Sequence, residues 1–254
     1  MRGLIVNADD LGAGAAGDRR ILAAHAGGVV TSTSLLTRGV SAREGVQAAL
    51  AAGLAVGLHV DLTALVPGGP LAVVRALATL PAAAIEEACE AQLEEFAWLA
   101  GRAPRHLDAH QHLVHFAPAA FAGYLAVARR HALPVRSPAP FLTAGALADF
   151  CARVERENGV PLAAALPPPE ALARELASVW SAAGVAAPRL FEHSFYGARA
   201  TTAHLCGLIA GLPEGVSEMM CHPARPGEVE VLTDPEVRRA LKHAGVDLLT
   251  YDDL

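Results

Sequence analysis

The chain has 254 residues, 53% of them hydrophobic and 18% charged, with a formal net charge of −6. This composition supplies a large core and excludes a globally disordered chain, and the absence of any Lys/Arg-rich run excludes the electrostatic footprint of a nucleic-acid-binding protein. No apolar stretch reaches the ~18 unbroken residues of a transmembrane helix.

The N-terminus enters strand-like sequence at once, without the apolar region and cleavage site of a signal peptide, so a cytoplasmic protein is expected. Leu4–Asn7 reads as a strand and Asp18–Ala26 as a helix ended by Gly27-Gly28. Val29–Leu36 is β-rich, and Ala42–Ala52 is helical, with Gly53 as its C-terminal cap. Leu54–Val60 is the next strand. Over Ala82–Leu99, Ile85, Ala88, Cys89, Gln92, Leu93 and Phe96 form a stripe at helical spacing. A strand follows at Arg105–Asp108, then a helix over Pro118–Ala132 with proline in its first turn. Val135 opens a short strand. Leu190–His193 and Val216–Cys221 are strands around a helix at Thr201–Ala210. Asp234–Ala244 is the last helix, and Asp247–Tyr251 closes the chain. The topology of Ala144–Pro188, with its Pro167-Pro168-Pro169 run, is left unassigned.

This alternation predicts a single α/β domain over 1–254, a parallel sheet with helical crossovers. Either a (β/α) barrel or an open doubly wound sheet fits, and both bind ligands at the carboxyl ends of their strands.

Four segments share one chemical alphabet at those ends: Asn7-Ala8-Asp9-Asp10, Gly57-Leu58-His59, His106 to His112 (HLDAHQH), and Cys221-His222-Pro223. Alone, Asp9-Asp10 could be a helix N-cap, and His59 a satisfied core histidine. In an extended segment Asp108, His110 and His112 share one face, although a histidine-rich surface loop would read the same; His115 is expected to pack against or cap the helix near Pro118. Pro223 restricts the backbone of His222, which suits a general acid held at a strand end, although a purely structural histidine would read the same. The four cysteines, Cys89, Cys151, Cys206 and Cys221, lack C-x-x-C spacing and read as reduced core residues. Imidazoles and carboxylates gathered at several strand ends make a metal site with an acid and a base beside it.

These residues carry a resemblance to the YdjC-like family of carbohydrate deacetylases, through IVNADDL (5–11), VTSTSLL (30–36), GLHVDL (57–62), HLDAHQHLVH (106–115), FYG (195–197), MCHPA (220–224) and the C-terminal Gly245–Tyr251. Leu11 stands where that family usually has Phe, and Ala109 where it has Ser or Thr. The loop between His59 and His110 is short for a member acting on chito-oligosaccharides. The resemblance implies a distorted (β/α) barrel of about seven parallel strands and one divalent ion, magnesium or zinc, on Asp10, His59 and His110. It further implies that Asp9 is the general base and His222 the general acid in hydrolysis of an N-acetylated sugar to acetate and an amine. Arg136 and His112 are the expected substrate contacts. The alternatives are another metal hydrolase, cleaving a phosphoester or a different amide, and a non-catalytic sugar-binding protein. A homodimer is the base-rate expectation for oligomeric state.

Overall fold

In a computed structural model describing residues 1–254, seven strands run parallel in one sheet: β1 (Arg2–Leu11), β2 (Ser32–Leu35), β3 (Ala55–Val60), β4 (Leu107–Ala109), β5 (Leu190–Glu192), β6 (Gly215–Cys221) and β7 (Val246–Leu249). The order is β4-β3-β2-β1-β6-β5. The buried β1 gives one edge to β6 from Arg2 to Ala8. It also pairs with β7 over Arg2–Ile5 and with β2 at Asn7 and Ala8. Two ladders therefore share one strand without overlapping.

The sheet curls into a distorted barrel, and an irregular segment bridges the gap between β4 and β5. Leu107 N–H donates to the Pro134 carbonyl, Arg136 N–H to the Leu107 carbonyl, and Val135 N–H to the Ala186 carbonyl shortly before β5. The strand expected at Val135 is thus a single bridge to Leu107. Prolines at 134 and 138 flank it, and a proline has no N–H to extend a ladder. The β-rich stretch 29–36 also shortens to four residues.

Ten helices cover the outside: α1 (Ala15–Gly27), α2 (Ala42–Ala51), α3 (Pro70–Leu77), α4 (Ala82–Ala100), α5 (Pro118–Arg130), α6 (Ala144–Asn158), α7 (Pro169–Ala183), α8 (Thr202–Ala210), α9 (Glu228–Leu232) and α10 (Pro235–Ala244). α4 buries Ile85, Cys89, Gln92, Leu93 and Phe96, as its spacing requires, and ends at the left-handed Gly101. The unassigned stretch is a helical pair. α6 is capped by the Thr143 hydroxyl, which accepts from Ala146 N–H, and stops at the left-handed Gly159; α7 starts on the third proline of its run. Proline at a first helical position removes only an N–H that had no partner. No helix is long and apolar enough to cross a membrane.

Candidate active site

The adjacent carboxylates reach the barrel mouth through a break in the ladder. β1 and β2 pair at Ala8↔Thr33 and next at Leu11↔Leu35, so β1 carries one extra residue there. Asp10 sits in that bulge with φ at +70°, a backbone conformation unusual for a residue with a side chain. The period-two rule that would send Asp9 and Asp10 to opposite sides is locally suspended, and both line one cavity.

Their surroundings differ. Asp9 is 2% exposed, and both its oxygens are taken: Arg136 Nη1 and Nη2 donate at 2.8 and 2.7 Å, and Asn7 Nδ2 at 2.8 Å. Burial alone would raise its pKa, but the charge and hydrogen bonds of Arg136 outweigh it and hold the carboxyl far below the usual range. Asp10 faces only imidazoles, with its Oδ1 3.4 Å from His59 Nε2 and 3.0 Å from His110 Nδ1. Burial opposes its ionisation too, and the two histidines overcome it.

His59, on β3, lies opposite Asp108 in the β3–β4 register, and its Nδ1 meets Asp108 Oδ1 at 2.8 Å. Asp108 in turn accepts from Ser34 Oγ at 3.0 Å and pairs with Arg136 Nη2 at 2.8 Å. Burial disfavours protonation of His59, yet Asp108 and Asp10 raise its pKa well above the ordinary value. Nδ1 is committed to Asp108, so Nε2 is the nitrogen turned toward Asp10, and it offers a lone pair to a metal once a cation displaces its proton. Carboxylate-held histidines are oriented this way in metal sites. Asp10 Oδ1, His59 and His110 offer ligand atoms all within 4.8 Å of one another. One carboxylate oxygen and two imidazole nitrogens so close together are a donor set that fits a divalent ion, with the mixed O/N chemistry that zinc and similar metals accept.

Two sequence expectations are corrected here. Arg136, the expected sugar contact, lies outside the cavity lining: it is 2% exposed and spends its guanidinium on Asp9, Asp108 and Glu218 (Nε to Oε1, 2.8 Å). His110 and His112 do not share a face of an extended strand either. Gln111 and His112 are left-handed (φ +53° and +57°), which breaks the alternation. His112 does line the cavity, but its ring packs among Phe141, Phe150 and Phe191. His115 stacks on Phe141 at 4.3 Å, where burial pushes it down to about 3. His106 is core: its ring stacks on Tyr251 at 3.7 Å and presses on Gly57, whose added Cβ would lie 2.2 Å from it. That contact is why GLH carries a glycine.

His222 follows β6 and lines the same cavity. Its backbone N–H donates to Glu228 Oε2 at 2.6 Å, and its ring meets Tyr196 edge-on at 5.3 Å. Burial lowers its pKa, against the pull of Asp9 and Asp10. Nδ1 is buried without a partner. Asn7, Ser34, Asp108, Glu218 and Glu228 had no assigned role in the sequence. The legible signal was a carboxylate inside an apolar strand, as at Glu218 between Val216 and Met219.

The cavity holds about 420 Å³, ordinary for a small-molecule site. One wall joins α3 and α6 through Val74, Phe150, Arg153 and Val154, and Tyr196 and Arg225 stand on the other side.

The YdjC-like protein family model matches residues 3–243. The chain is 30% identical to a chitooligosaccharide deacetylase of Serratia marcescens, across 99% of this chain and 98% of that protein. It is also 30% identical to a carbohydrate deacetylase of Homo sapiens, across 99% and 90%. Among solved structures, a putative cellobiose-phosphate cleavage protein from Enterococcus faecalis superposes with a TM-score of 0.74 at 24% identity, over 99% of this chain and 98% of that one. A family 4 carbohydrate esterase from Streptomyces lividans, in complex with acetate, gives 0.54 at 12%, over 98% and 92%. Both likenesses concern the fold.

Proposed function

This chain belongs to the YdjC-like protein family, and we propose that it is a metal-dependent carbohydrate deacetylase that hydrolyses the N-acetyl group of an amino sugar or its oligosaccharide. The observation that carries the reading is the convergence of Asp10, His59 and His110 at the mouth of a cavity that Asp9 and His222 also line. The deacetylase names of its relatives support the substrate class.

Asp10, His59 and His110 would hold the ion, which when bound supplies Lewis-acid stabilisation of negative charge and acidifies nearby water. Asp9 takes the proton of the attacking water. Arg136 and Asn7 keep its carboxylate ionised and aimed, so the base needs no reorganisation as it acts. Tying down both oxygens lowers its basicity, a cost offset where the water is already acidified. His222, in its protonated form, delivers a proton to the departing amine nitrogen. The neutral resting state favoured by burial makes that proton easy to give up. The apolar wall of α3 and α6 excludes bulk water and offers a face to the sugar ring.

Acetate release from N-acetylglucosamine and its β-1,4 oligomers, before and after chelation and metal return, tests the reading. Release that is lost on chelation and restored by the ion is expected. Absence of acetate from every sugar with the ion present would refute it.

A further inference from the structure

The lone carboxylate of β6 has no part in the reaction as described, yet it meets Arg136. Glu218 is fully buried, and its Oε1 accepts from Arg136 Nε at 2.8 Å. The opposite, Nη edge of the same guanidinium grips Asp9 with both nitrogens and Asp108 with Nη2. A guanidinium is a rigid planar fork, so holding its Nε side fixes the direction of the Nη side. The ring of Phe191 under Arg136 Cζ, at 4.8 Å, sets the remaining freedom of that plane. Glu218 pairs in register with Ile5 on β1, four residues before Asp9, and with Phe191 on β5, so it lies deeper in the barrel than the Asp9 carboxylate it serves.

The buried Tyr251 phenol lies near Glu218, and neither its oxygen nor Glu218 Oε2 has a hydrogen-bond partner. Tyr251 is fixed by its stack on His106 and by a capping box in which the Thr250 side chain accepts from Asp252 N–H and Asp253 Oδ2 accepts from Thr250 N–H at 2.8 Å.

We propose that Glu218 is a positioning residue for the reaction: it orients Arg136 and, through it, the Asp9 carboxylate. The proposal rests on the reading of Asp9 as general base. Glu218 does not line the cavity, and its route to His59, through Arg136 and Asp108, is one contact longer than its route to Asp9, so its loss is expected to act on turnover more than on substrate or metal binding.

A double-mutant cycle of Glu218→Gln with Asp9→Asn, read in kcat, KM and metal content, tests it. Removing such a supporting partner typically costs about 10–100-fold. Glu218→Gln is expected to lose that much kcat, with KM within about twofold and metal content unchanged. In the Asp9→Asn background the same substitution is expected to cost nothing more, because the group it acts through is gone. Glu218→Asp, which keeps the charge, is expected to recover part of the loss. Should Glu218→Gln not fold, Glu218→Asp, which keeps the charge but shortens the reach to Arg136 Nε, carries the same cycle, with a smaller kcat loss that again vanishes beside Asp9→Asn. Equal losses in both backgrounds, or a change confined to KM or metal content, would overturn the proposal while leaving the base intact. An Asp9→Asn enzyme of wild-type activity would overturn the base assignment and the proposal together.

Discussion

The rim and the floor of the barrel solve opposite problems with the same residue types. On the floor, one guanidinium sits among Asp9, Asp108 and Glu218, with Asn7 donating to Asp9 and Ser34 to Asp108. On the rim, Asp10 meets only His59 and His110, and the fixed cation is missing. Asp9 and Asp10 are chain neighbours, yet one is paired with a buried guanidinium and the other with imidazoles alone. On the function proposed above, that difference in charge would separate a base held in place from a ligand of the ion.

The largest effect that would sharpen this comparison is at the rim. His59→Ala is expected to lose both bound metal, by elemental analysis of purified protein, and acetate release, to background. Metal-replete His59→Ala protein would break the assignment. Next, Asp9→Asn is expected to keep its metal and lose roughly 10²–10⁴-fold in kcat, the usual worth of a general base. Equal metal loss at both positions would erase the distinction between them.

On the floor the expected penalty is stability. Arg136→Met leaves buried carboxylates without their counter-charge, and breaking such a pair costs about 3–5 kcal/mol, measurable by denaturant unfolding. A variant of wild-type stability would mean that the floor is not held by charge.

The smallest effect is acid sensitivity. Burial pulls His106 down to about 4 in the fold, against about 6.5 in an unfolded chain. The folded pKa is depressed, so the unfolded chain takes up the proton first as the pH falls. The stability is whole above about 6.5 and is lost as pH falls through 4, in all about 3 kcal/mol from this residue. His115, at about 3, extends the loss to lower pH. Unfolding free energies at pH 7.5, 5.5 and 4.5 are expected to fall in that order, less steeply in His106→Phe. An unchanged slope in that variant would remove His106 from the account.

The parts legible in the sequence were those governed by local rules. Apolar runs ending in Asp or His located the mouth, and the stripe of α4, the first-turn proline of α10 and its terminal Gly245 located helices. Asp9, Asp10, His59, His110 and His222 all converge there. The rest depended on non-local or exceptional geometry. Arg136 looks like any arginine after a turn until the fold brings Asp9, 127 positions away in sequence, and Glu218, 82 away, against it. The period-two reading of His110 and His112 failed because two consecutive residues adopt a left-handed backbone, which side chains rarely favour. The proline run before α7 reads as a breaker, although its last member starts the helix.

The most direct test of the central claim is the anomalous diffraction of crystals grown with zinc or manganese, recorded at the metal edge. The account predicts one strong peak between Asp10 Oδ1, His59 Nε2 and His110 Nδ1, about 2.0–2.2 Å from each for zinc, absent in Asp10→Asn crystals. A peak bound instead by Asp9 and Asp108, or none beside these three residues at saturating metal, would contradict it.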